Sequence, residues 1–337
     1  MTASSAFRWA AVFLLAVLLV TGGTALWWRH TLWTSTDNPN LTLEVQTGAA
    51  SMAILHQLAQ AGVMPSVFAG RLYLEGPARG REMQWGTYVI PARSRPVDIL
   101  EMLLQGRVKP LTVTVVEGTS SSDIQGILDA AGVLDTDLWP SVIADSTMII
   151  DLAPGASSLE GFLFPDTYTF STGVNALTVA RVMVDRFRTV WAEENTAGRQ
   201  PQMTSLDLVT LASLVEAETA VPRERGRVAG VFVNRLDKGM LLQCDPTVVF
   251  ALQRRGEWTG RLLRVHWNVD DPYNTYRYPG LPPAPINNPG RAALRAALNP
   301  EKHSLLYFVA DDSGGHTFSS TLKQHNLAVA KRRRSRH

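Results

Sequence analysis

Residues 41–64 read LTLEVQTGAASMAILHQLAQAGVM, and residues 111–134 read LTVTVVEGTSSSDIQGILDAAGVL. They align without a gap at an offset of 70, with identities at Leu41/Leu111, Thr42/Thr112, Val45/Val115, Gly48/Gly118, Ser51/Ser121, Ile54/Ile124, Leu58/Leu128, Ala61/Ala131, Gly62/Gly132 and Val63/Val133. Whatever the first copy builds, the second should build again. Leu41, Leu43 and Val45 alternate as in a half-buried strand. Gly48 supplies a turn, and Ser51 or Ser121 is placed to cap a helix whose apolar Ile54, Leu55 and Leu58 have helical spacing. Gly62 or Gly132 then ends that helix. A second half follows each copy: GTYVIPARSRPVDILEMLLQG (86–106) and DTYTFSTGVNALTVARVMVDRF (166–187) each read as strand, turn and helix. The N-terminal half is therefore expected to hold two small α+β modules, 41–110 and 111–199, each strand–helix–strand–helix. Two copies are too few for a solenoid. Modules of this kind bind or position more often than they catalyse.

Ahead of the repeat, residues 9–28 read WAAVFLLAVLLVTGGTALWW, without a charge. About 20 apolar residues at 1.5 Å rise per residue cross a hydrocarbon core of roughly 30 Å. Tryptophans at both ends suit the two interfaces. Gly23 and Ala25 loosely fit a signal-peptidase site, but the run is long for the apolar part of a signal peptide. A single-pass anchor is the expectation, with residues 1–8 cytoplasmic, 29–40 a polar linker and the bulk of the chain exported. The flanking charges, Arg8 on one side and Arg29-His30 on the other, signal orientation poorly.

The 337 residues are 45% apolar, which excludes a disordered chain, and the net charge of +2 gives no reason to expect nucleic acid. Cys244 is the single cysteine, so no internal disulfide can form. No Cys/His spacing suits zinc and no glycine-rich phosphate loop is present, so neither a metal nor a cofactor is expected. The chain closes on a basic tail, 331–337, KRRRSRH. Such a run is either a solvated terminus or a contact for an anionic polymer or membrane surface.

From about residue 200 the texture changes, and 200–330 is expected to form a mixed α/β catalytic domain. LDLVTLASLVEAETA and RGRVAGVFVNRLDKG read as helices, the second closed by Gly239. MLLQCDPTVVFALQ reads as a short strand, an Asp-Pro turn and a helix. Residues 270–290, DDPYNTYRYPGLPPAPINNPG, are a long loop of a kind that is often functional. Its tyrosines and amides suit a carbohydrate cleft, although a rigid surface coil would have the same composition. Helix RAALRAALN and strands SLLYFVAD and HTFSS complete the region.

Glu216 and Glu218 sit two apart near the end of the first of these helices. Residues i and i+2 point about 200° apart, so at most one faces a cleft and the other should be paired or solvated. Leu211, Leu214 and Val215 make the surroundings apolar, and desolvation raises a carboxyl pKa. Pro222 ends the helix nearby, and the negative end of the helix dipole also disfavours ionisation. A carboxylic acid held protonated near neutrality is what a general acid for glycosidic cleavage needs. Glycosidases ordinarily use a carboxylate pair. Asp245 is the best second candidate, and Asp-Pro equally well reads as turn or cap chemistry. A single acid working with a hydroxyl of the substrate needs no partner.

The pieces GTYVI, VEG, EGFLFPDTY, LASLVEAETA, VAGVFVNRL, GMLLQCDPTV, PYNTY, GLPPAPINNPG, YFVAD, GGHTF and HN, in this order, resemble the YceG-like (MltG-type) family of membrane-anchored endolytic murein transglycosylases. The resemblance covers most of the chain. Cys244, the APINN stretch and the basic tail depart from its pattern. It implies an α+β chain with one N-terminal transmembrane helix, LysM-like modules and a catalytic domain, seated in the bacterial inner membrane with its bulk facing the periplasm or cell wall. It implies cleavage of MurNAc-β-1,4-GlcNAc bonds within glycan strands, leaving 1,6-anhydro-MurNAc ends, and peptidoglycan synthases as partners. The catalytic residue it implies is Glu218, as acid and then base. Asn234, Gln243, Asp245, Thr247, Tyr273, Asn274 and Tyr276 fall in its other motifs and are expected, with Glu216, to contact substrate. Two rival readings remain: a peptidoglycan hydrolase using water, and a non-catalytic wall-binding scaffold.

Overall fold

The computed structural model describes residues 3–335, apart from 47, 135–137, 172 and 196–202. It separates into two compact units, one reaching Leu111 and including Ser171–Gly173, the other holding Thr112–Phe170 and Val174–His337.

The first unit begins with α1 (Ala3–Trp33), followed by β1 (Leu41–Val45), α2 (Ser51–Gln60), α3 (Val67–Glu75), β2 (Gly86–Ile90) and α4 (Pro96–Leu104). Within α1, Ala11–Trp33 is long and apolar enough to cross a membrane. Residues 11–27 are exposed, as an anchor requires. Residues 29–33, expected in a linker, continue the helix. The reason is packing: Leu32 is fully buried and Trp28 Nε1 donates to the Ala69 carbonyl at 3.1 Å. Strands β1 and β2 pair antiparallel, Leu41 opposite Ile90 and Val45 opposite Gly86. The alternation read from sequence puts Leu43, Val45, Tyr88 and Ile90 inward against Leu55, Leu58, Leu100 and Leu103.

The second unit runs β3 (Leu111–Thr114), α5 (Ser121–Ala130), α6 (Trp139–Ala144), a 3-10 turn (Ser146–Ile149), β4 (Thr167–Phe170) and α7 (Ala176–Glu194), then α8 (Ser205–Glu218), α9 (Arg225–Asp237), α10 (Asp245–Arg254), α11 (Arg291–Leu298), β5 (Tyr307–Ala310), β6 (His316–Ser319) and α12 (Leu322–Ser335). The repeat keeps its register, since β1 and α2 recur as β3 and α5 seventy residues on. Gly62 and Gly132 end their helices at φ +72° and +69°, followed by fully buried Val63 and Val133. Each copy also holds a helix between its first helix and second strand, α3 and α6, where a plain connection was expected. The caps differ as well. Ser51 and Ser121 are the first helical residues; α2 has no side-chain cap, and Ser120 caps α5 by accepting from the Asp123 N–H.

The boundary expected near residue 200 does not divide the second unit. Fully buried Asn288 explains why: its Oδ1 accepts from the Gly161 and Leu163 N–H groups and its Nδ2 donates to the Thr119 carbonyl and to Glu160. Arg291 and Arg295 pair with Glu194 of α7. The second part of the loop 270–290 is consequently no surface coil, although Arg277, Tyr278 and Pro279 in its first part are exposed. Residues 284–290 are buried, and the Ile286 N–H and Asn287 amide bond Ser213 within α8. The MLLQC strand does not form, because Gln243 takes φ +52° and breaks extended geometry. Helix α8, opened by a Thr204–Asp207 capping box, buries Leu208, Val209, Leu211, Ala212, Leu214 and Val215. Its apolar run, unbroken round the helix, makes it the central element of this unit.

Candidate functional site

Helix α8 stops at Glu218, one turn short of Pro222, which opens a 3-10 turn (Pro222–Glu224). The half-buried Glu218 lies in the wall of a cleft of about 370 Å³. Arg235, Gln243, Asp245, Tyr276 and His316 share that cleft with it. Its pKa is pushed up to about 7, first by burial and next by the Asp245 carboxylate; contact with the Cys244 thiol and the charges of His316 and Arg235 pull the other way. The carboxyl is thus a proton donor near neutrality that can return to base once a proton has left.

Two residues earlier, Glu216 turns away, as the 200° separation requires. It accepts from Arg225 Nη2 at 2.8 Å and from the Gly290 N–H at 3.0 Å, with its side chain 6% exposed. It ties α8 to the segment entering α11 and does not line the cleft, contrary to the expected substrate contact.

Asp245 opens α10, where a carboxylate meets the positive end of the helix dipole. Its Oδ1 accepts from Tyr276 Oη at 2.6 Å and from Trp267 Nε1 at 3.1 Å. Trp267 and Tyr276 stack with centroids 5.2 Å apart and planes at 12°. The result is a broad aromatic pair anchored by a carboxylate at the rim of the cleft. Gln243 reaches the cleft through its left-handed backbone, with its N–H bonded to the Thr275 carbonyl.

Four other expected contacts lie elsewhere. Asn234 Nδ2 donates to the carbonyls of His303 and Leu305, joining α9 to the strand that follows. Thr247, fully buried, donates to the Cys244 carbonyl and meets Thr275 Oγ1 at 3.0 Å. Asn274, also fully buried, donates to the Trp267 and Val269 carbonyls and so holds Trp267 beside Tyr276. These three act as braces, because the donors of Asn234, Thr247 and Asn274 are directed to partners inside the fold. Tyr273 faces a different cavity, of about 570 Å³, and lies under the Arg254 guanidinium at 4.6 Å.

That larger cavity contains Glu160, whose pKa burial also pushes up to about 7. Its oxygens already accept from the Ser121 N–H at 3.2 and 3.1 Å and from the Asn288 amide at 3.1 Å. Glu160 therefore reads as a buried brace, and Glu218 as the available acid. Sequence reasoning missed Trp267, Arg235, His316, His325 and Arg332. His316 is held by Glu224, Nδ1 to Oε2 at 2.8 Å. Arg235 donates to the carbonyls of Leu306, Leu241 and Leu242. The GGHTF motif was the available signal for His316; nothing in the pattern marked Trp267. Among the described residues, no group of three or more His, Cys, Asp or Glu is placed to hold a metal.

The chain is similar to proteins whose names bear on this site. It is 39% identical over 174 residues, 51% of its length and 48% of the relative's, to the endolytic murein transglycosylase of Bacillus subtilis (strain 168). It is 28% identical over 228 residues, 65% of its length and 41% of the relative's, to the protein of the same name from Streptococcus pneumoniae serotype 2. The chain thus spans about half the length, or less, of the curated relatives it matches. A crystal structure of a YceG-like protein from Listeria monocytogenes superposes with a TM-score of 0.55 at 29% identity, over 86% of this chain and 98% of the other. The model of the YceG-like family matches residues 43–331, most of the sequence, and the chain belongs to that family.

Proposed function

We propose that the chain is an endolytic lytic transglycosylase of peptidoglycan, with Glu218 as its acid and then its base. The observation that carries the reading is a carboxyl at the end of an apolar helix, lining a cleft, whose pKa burial pushes up to about 7. Glu218 donates its proton to the glycosidic oxygen as the MurNAc–GlcNAc bond breaks. The anionic Glu218 then takes the proton of the muramoyl C6 hydroxyl, whose oxygen closes on the anomeric carbon. No water enters and a 1,6-anhydro end results. An intramolecular nucleophile of this kind draws on proximity, about 7–11 kcal/mol at best. The Trp267–Tyr276 pair offers an apolar face against which a pyranose ring can lie, and the names of the relatives supply the substrate class.

The same reading places α1 in the bacterial inner membrane with the bulk of the chain toward the wall, makes the repeated strand–helix units LysM-like glycan-binding modules, and gives the enzyme a role in terminating nascent strands beside peptidoglycan synthases. One observation favours a second reading: Asp245 lines the same cleft and could activate water for hydrolysis. Its acceptor oxygen is engaged by Tyr276 and Trp267, which argues for positioning instead. The test is digestion of purified glycan strands by the full chain in detergent micelles, with the ends read by mass spectrometry. Anhydro ends from the parent and none from Glu218→Gln are expected. Products one water heavier would transfer the assignment to the hydrolase, and cleavage undiminished in the variant would remove Glu218 from the chemistry.

A further inference from the structure

The basic C-terminal run is a motif that the proposed reaction does not use. It is helical: α12 carries it to Ser335 and packs on β5 and β6. His325 and Arg332 are seven residues apart, two turns along one face of α12, and both line the cleft that holds Glu218. The His325 ring stacks on Tyr307 with centroids 5.3 Å apart. His325 Nδ1 and Arg332 Nε are each buried without a hydrogen-bond partner. Such orphans are uncommon in folded proteins and each calls for an explanation; Ser121 Oγ, Arg225 Nε and Asn287 Oδ1 are others, and these two are the ones that line the Glu218 cleft.

The surroundings narrow what that partner is. Two guanidinium groups reach the cleft. Arg235 is taken up by three backbone carbonyls and the face of Tyr307 at 5.1 Å, so its donors are already directed into the fold. Arg332 keeps an unmatched donor. Burial and the Arg235 charge lower the His325 pKa, which works against a second positive charge in this part of the cleft. A planar guanidinium with free donors matches a carboxylate better than any neutral sugar hydroxyl.

We propose that Arg332, with His325 beside it, binds a carboxylate on the acidic arm of the glycan while Glu218 engages the neighbouring glycosidic bond. This rests on the transglycosylase reading and adds a specificity determinant to it. The carboxylate has two possible sources: the lactyl group of a muramoyl residue stripped of its peptide, or the stem peptide where that lactyl group is amidated.

The test uses the full chain in detergent micelles, the Arg332→Ala and Arg332→Lys variants, and two pairs of substrates. One pair is peptide-free strands with lactyl carboxylates free or capped as methylamides. The other is peptide-bearing strands with peptide carboxylates free or capped. Loss of one charge-assisted contact should raise KM of Arg332→Ala about tenfold to a hundredfold on the recognised substrate with kcat nearly unchanged. Arg332→Lys should recover part of that loss. Capping should penalise the parent by a similar factor in one pair, which identifies the source, and should leave Arg332→Ala indifferent. A parent that treats capped and free strands alike in both pairs would overturn the proposal, and that comparison needs no variant to fold. So would a variant that keeps the parent's preference. Strands cut without anhydro ends would count against the transglycosylase reading and leave the capping comparison to judge Arg332.

Discussion

Replacing Glu218 with glutamine should abolish cleavage and also make the protein more stable above neutrality. The two effects have one cause. In the folded chain the carboxyl prefers its proton up to about pH 7, against an ordinary value of 4.5. A pKa raised on folding means that stability is fully present below the unfolded value and is lost as pH rises through the folded one. Over that interval the parent gives up about 3 kcal/mol, at 1.36 kcal/mol for each tenfold change in proton affinity. Glutamine mimics the protonated acid and gives up nothing. Parent and Glu218→Gln should therefore unfold alike near pH 4 and diverge between about pH 4.5 and 7. Above that the variant should lead by a constant amount, equivalent to roughly 10 °C in Tm for a unit of this size. The assay is urea or thermal unfolding of both proteins across that range, read as the difference between them. Glu160 titrates in the same region, but it is present in both proteins and drops out of the difference. A difference that is flat with pH, or that favours the parent at high pH, would refute the claim that burial holds the proton on Glu218.

The remaining expectations test the frame around the site. Arg225→Met should leave Glu216 buried without its cation, costing about 3 kcal/mol, read as a lower denaturation midpoint; adding Glu216→Gln should recover much of it. Asn288→Ala removes the acceptor for the Gly161 and Leu163 N–H groups and should destabilise by about 2–3 kcal/mol, read the same way. Gly161 sits at φ +90° with Pro285 against the place of a Cβ, so Gly161→Ala should be poorly folded by near-ultraviolet circular dichroism. Asp245→Asn removes a charge that raises the Glu218 pKa, so the basic limb of the pH–kcat/KM profile should move to lower pH while anhydro products persist; hydrolysis by an Asp245-activated water would instead fall by orders of magnitude.

Much of the architecture was legible because it rests on local pattern. The alternation at 41–45 and 111–115, the helical spacing after it and the glycine stops are set by backbone geometry within a few residues, and they recur in register. The setting of Glu218, at the end of an apolar helix and turned away from Glu216, was legible for the same reason: the helix, the proline beyond its end and the i, i+2 angle are all local. What failed depended on long-range partners. Asn234, Thr247 and Asn274 lie in motifs that read as polar and accessible, yet their side chains bond backbone carbonyls up to 71 residues away or across a turn. The loop 270–290 has a surface composition, yet its second part, 284–290, is buried because Ser213, Thr119 and Glu160 supply partners for its amides. The terminal basic run left two readings open, a solvated terminus or a contact for an anionic surface, and neither foresaw that α12 packs on β5 and β6 with Arg332 lining the cleft.

These misplacements share a physical logic that bears on how the site works. A cleft carboxyl that must stay dry enough to hold a proton at pH 7 needs walls that do not yield, and apolar side chains alone do not orient a loop. The buried amides of Asn274, Asn287 and Asn288 do so with directional bonds. Asn274 fixes the Trp267–Tyr276 pair, Asn287 fixes the loop to α8, and Asn288 fixes it to the β3–β4 module. Replacing any of them should loosen the position of Tyr276 and Asp245 relative to Glu218 before it changes any group that touches substrate. The asparagines of the loop thus hold the surroundings of the cleft carboxyl in place through directional bonds that apolar packing alone does not supply.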